Sequence, residues 1–128
     1  MLHEATGTFD VTTTLITEPT AMPGRFRLEK IFHGDLEGTG TGEMMTAMTE
    51  TKGSAAYVAI EKVEGTLRGK RGSFVFHHTG TMSRGAQQLA IAVVPDSGTG
   101  ELTGIAGTFR IEIEGKVHRY TFEYALPQ

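Results

Sequence analysis

The chain contains no cysteine. That removes thiol nucleophiles and disulfide staples, and it fits a reducing compartment. It also lacks any basic run longer than Arg68-Gly69-Lys70-Arg71, and its net charge is −3, so no nucleic-acid footprint is expected. The plain reading of that short cluster is a solvated turn. No apolar stretch approaches the roughly 18 residues a membrane helix needs. The opening Met1-Leu2-His3-Glu4-Ala5-Thr6 shows no basic segment followed by an apolar one, so no secretory leader is read there. The expectation is a soluble cytoplasmic protein with no membrane or nucleic-acid partner. Helix is missing as well, because no segment keeps a roughly 3.6-residue apolar period over three turns.

What is abundant is glycine, 17 of 128 residues, against an ordinary share of about 7%. The glycines are scattered, which excludes collagen and flexible linkers and points to turns, bulges and tight barrel corners. Hydrophobic content of 38% with charged content of 21% describes a globular chain. Its length gives one domain, 1–128, able to bury a core.

Residues 6–17 alternate, with Phe9, Val11, Thr13 and Leu15 on one face and threonines favouring an extended backbone. Pro19 and Pro23-Gly24 break the pattern. Residues 25–33 alternate again, and Phe26, Leu28, Lys30 and Phe32 share a row. Lys30 is a cation among apolar neighbours, and the plain expectation is a strand-end lysine whose ammonium reaches out to water. Residues 34–50 place Gly38, Gly40 and Gly42 on one face, as in a sharply coiled strand that another backbone approaches. No Gly-Lys-Ser/Thr follows them, so this is not a phosphate loop. Met44, Met45 and Met48 are adaptable fillers of a core or pocket. Residues 87–94 form an apolar run expected to be buried on both sides. Pro95-Asp96-Ser97-Gly98 is a turn. Residues 107–114 and 117–126 alternate on either side of a Gly115-Lys116 hairpin link. About eight such strands with short connections predict an all-β fold, a single closed antiparallel barrel; an open sandwich is the alternative.

The chemistry lies in residues 53–80. Runs 55–63 and 73–79 carry Glu61, His77 and His78 inside strands, where each must face water or be satisfied internally. Tyr57, Ala59 and Glu61 share one row, and Phe74, Phe76 and His78 share another. A slip of one residue would reverse each assignment. The five histidines lie on separate segments or, for His77 and His78, on opposite faces, so neither metal nor cofactor is expected. No nucleophile elbow accompanies Ser97 and Asp96.

Several stretches together resemble the bacterial DUF3224 family: Lys30-Ile-Phe-His-Gly-Asp-Leu-Glu-Gly-Thr, Gly53-Ser-Ala-Ala-Tyr-Val-Ala-Ile-Glu, Gly72-Ser-Phe-Val-Phe-His-His-Thr-Gly-Thr-Met82, the run from Val94 to Thr108, and the ending Tyr120-Thr-Phe-Glu-Tyr-Ala-Leu-Pro127. The resemblance spans nearly the whole chain. It departs at Phe76-His77, where a smaller aliphatic residue followed by Gln is expected. It implies an eight-stranded barrel similar to allene oxide cyclase and, more distantly, to dirigent proteins, relatives that hold apolar small molecules inside. It brings no established activity.

The resulting expectation is a barrel that binds a small, largely apolar molecule in its interior and associates as a homo-oligomer. Phe9, Phe26, Leu28, Met44, Tyr57, Phe74, Phe76, Phe109, Ile111, Phe122 and Tyr124 would line it. Lys30, Glu61, His78 and Tyr120 would supply the polar contacts. One alternative is a cofactor-free isomerase or cyclase, with Glu61 or His78 accepting a proton and Lys30 or Tyr120 polarising an oxygen. The other is a barrel with a filled core that acts only through its surface.

Overall fold

Branched and aromatic residues at every second position build strands that each turn one row inward. The computed structural model, which describes residues 1–127, has β1 (His3–Leu15), β2 (Gly24–Gly34), β3 (Leu36–Met48), β4 (Ala55–Leu67), β5 (Lys70–Ser83), β6 (Ala86–Val93), β7 (Thr99–Gly100), β8 (Ala106–Glu114) and β9 (Val117–Ala125). All pairings are antiparallel. Eight strands close in the order β1-β2-β3-β4-β5-β6-β8-β9, with β9 back against β1, and the short β7 adds to the lower part of β5. The closed barrel is therefore present and the open sandwich is not.

The ring is zipped unevenly. β4 and β5 pair along their whole length, from Ala55↔Met82 to Leu67↔Lys70. β6 and β8 share the single pair Ala92↔Thr108. Above that bridge the two strands run without a ladder between them.

The barrel has two unlike halves. At the base, Leu36, Val63, Leu67, Phe74 and Phe122 are buried. Leu102 and Ile105, from the loop after Pro95, join the same core and stopper that end. At the rim, where β3 meets β4 and β5 meets β6, the inward residues Met48 and Leu89 are 72% and 47% exposed. Residues 87–94 thus differ from their expected double burial: β6 is exposed from Ala86 to Ala90, and only Ile91 and Val93 are buried. The reason is the missing ladder to β8, which leaves the upper part of β6 covered on one edge only. β4 and β5 also extend well beyond the 55–63 and 73–79 runs, because Gly65 and Gly72 pair with each other across the sheet and continue the strands.

Candidate functional site

Alternation turns Lys30 of β2, Glu61 of β4 and His78 of β5 into the barrel, where they are 6%, 0% and 3% exposed. His77 faces out, as do Val58 and Ile60. One oxygen joins the three inward groups. Glu61 Oε1 accepts from Lys30 Nζ at 3.2 Å and from His78 Nε2 at 2.9 Å. An ionised carboxylate only accepts, so His78 carries a proton on Nε2. Lys30 Nζ also lies 4.9 Å from the Phe9 ring centroid and 6.0 Å from that of Phe32, close enough for both rings to attract the charge. The expected escape of this ammonium to water does not occur. Lys30 sits well inside β2, not at its end, and its counter-ion is indoors.

Burial is the largest influence on Glu61 and by itself raises its pKa. The hydrogen bonds and charges of His78 and Lys30, the His78 bond foremost, together outweigh it, so the carboxyl titrates below its ordinary 4.5. Among the described residues the second oxygen, Oε2, is buried with no hydrogen-bond partner. It lies against Gly40, where a Cβ would overlap it. Gly40 is therefore a site requirement: the close approach there is what lets Glu61 fit.

Above this cluster lies a half-open cavity of about 360 Å³, lined chiefly by Met44, Thr46, Met48, Ala55, Tyr57, Gly80, Met82, Gln87 and Leu89. Tyr57 forms part of its wall. Its ring lies across Gly80, where any Cβ would strike it, and meets His78 edge-on at 6.3 Å between centroids. Burial first, and then the negative charge of Glu61, push the Tyr57 phenol above its ordinary 10.0, so it remains a donor at neutral pH. A larger depression at the base, between Asp35, Glu37, Arg68 and Arg71, is polar, and Arg68 there is already bonded to Glu4 O and Asp35. Among the described residues no three His, Cys, Asp or Glu side chains are grouped to hold a metal.

The expected lining divides between the halves. Phe26 and Ile111 are half-buried towards the rim, Leu28 is buried, and Met44 and Tyr57 reach the cavity. Phe74, Phe76, Phe109, Phe122 and Tyr124 do not surround a hollow. They pack on one another, with Phe76 and Phe109 centroids 4.9 Å apart and Phe76 and Phe122 5.4 Å apart. Aromatic rows meeting from opposite walls fill a barrel of this width. The bulky Phe76 is part of that filling. Tyr120 also stands apart from the expected cluster. Its hydroxyl accepts from Leu36 N at 3.0 Å and lies 2.9 Å from His33 O, so it ties down the β2–β3 turn. Sequence reasoning missed Gly80, Ala55, Met82 and Gln87, which carry no chemical signature of their own. Their only sign was the position of strand ends beside the methionines.

A family model described as a protein of unknown function, DUF3224, matches residues 5–124. A solved structure of a DUF3224 protein of unknown function from Shewanella oneidensis is 46% identical to this chain, covers 100% of it and 99% of its own length, and superposes with a TM-score of 0.93. No curated protein matches. The chain belongs to the DUF3224 family.

Proposed function

We propose that this barrel binds a small, largely apolar molecule at its rim, over the Lys30–Glu61–His78 cluster. The observation that carries the reading is the contrast between a base filled with aromatic rings and a rim holding a cavity of about 360 Å³, within the size range of small-molecule sites. Methionines at its wall suit it to an adaptable ligand. The test is titration with the neutral fluorophore N-phenyl-1-naphthylamine. Saturable enhancement in wild type, lost in Ala55→Trp at the cavity wall, is expected. Equal signals from both proteins would reject the reading.

Acid–base turnover is the second reading, favoured by the Glu61–His78 hydrogen bond at 2.9 Å. It requires conversion of a bound compound by wild type and none by Glu61→Gln. Retention of the rate in that variant would end it.

A further inference from the structure

The cavity wall is polar only through amides and hydroxyls. Thr46, Tyr57, Thr81, Gln87 and Gln88 contribute them, and among the described residues no ionisable side chain other than Tyr57 lines the space. Below it, the charges of Lys30 and Glu61 oppose each other in one ion pair, so that pair offers no net charge to an anion or a cation. A charged head group lodged here would lose its water with nothing to replace it. A neutral oxygen would not.

Of the polar groups, Tyr57 lies beside His78 and against Gly80. Its ring is held in place by the close approach at Gly80, so its donor is positioned before anything binds. Among the described residues its hydroxyl has no hydrogen-bond partner, in contrast to Tyr120, whose hydroxyl is fully engaged by backbone.

We infer that the rim selects an electrically neutral, mostly apolar molecule carrying one oxygen acceptor, and that the hydroxyl of Tyr57 donates to that oxygen. This rests on the rim-binding reading and names its ligand class. The matching molecules are ketones, aldehydes, esters and epoxides on an apolar skeleton; fatty-acid anions and alkylammonium cations are disfavoured.

The experiment is displacement of N-phenyl-1-naphthylamine by 2-decanone, decanoate and decane, at a pH where decanoate is ionised. With wild type, 2-decanone is expected to displace the probe at a concentration about tenfold below that of decanoate. Tyr57→Phe keeps the ring across Gly80 and removes only the donor. It should weaken 2-decanone by about fivefold, the usual net worth of one hydrogen bond, and leave decane unchanged. Decanoate equal to or better than 2-decanone would overturn the neutral-ligand inference while leaving rim binding intact. An unchanged preference for 2-decanone over decane in Tyr57→Phe would overturn the role of the hydroxyl. Failure of wild type to bind the probe or any of the three compounds would overturn both this inference and the rim-binding reading.

Discussion

Glu61 Oε2 rests against the backbone of Gly40, in space that any other residue at that position would occupy. The contact couples the β3 glycine row to the buried charge cluster. Gly40→Ala forces the carboxylate to move and strains its bonds to Lys30 and His78. The expected loss is about 1–3 kcal/mol, as for other overpacked interiors, measured by urea unfolding. The His78 ring resonances should shift in the same variant.

The Lys30–Glu61 pair organises this interior more than it stabilises it. Removing one partner strands the other as an uncompensated buried charge. Glu61→Gln alone should therefore cost about 3–5 kcal/mol, whereas Lys30→Met with Glu61→Leu should recover most of that loss. Chemical denaturation of the two variants reads the difference. A double variant no more stable than Glu61→Gln would show that the cluster's worth lies outside the ion pair.

Acid should reach the cluster through Glu61. Its folded-state pKa lies below the ordinary 4.5, so the unfolded chain takes up this proton first as pH falls. The stability it contributes is complete above the unfolded value and disappears as pH drops through the folded one. Wild type should lose stability between about pH 5 and pH 3 more steeply than Glu61→Gln. Thermal melts across that window test the slope.

Tyr120 should prove structural. Tyr120→Phe leaves the Leu36 amide without its partner at 3.0 Å, at an expected cost of about 1–3 kcal/mol. Probe binding at the rim should be unaltered, because the lost bonds lie at the β2–β3 turn near the opposite end. A change in probe affinity at constant fold would return Tyr120 to the site.

Much of this was legible in alternation alone. The rows Tyr57-Ala59-Glu61 and Phe74-Phe76-His78 do face inward, since a strand cannot bury its aromatics without carrying the intervening ionisable groups of the same row with them. Whether a row meets space or opposing rings depends on what the far wall contributes. Phe109 and Phe122 reach the centre from β8 and β9, and no local pattern in β5 announces them. The exposure of β6 was illegible for a similar reason. Gln87 to Val93 is apolar enough for a core, but its cover depended on a ladder to β8 that forms at one pair only.

That single bridge between Ala92 and Thr108 makes the wall behave as a ribbon fastened by one clasp. Everywhere else, widening the ring would break a row of backbone bonds; here the upper margins can part without breaking any. Loosening of the wall would therefore begin along this slit, while the stoppered floor of rings and leucines keeps its shape.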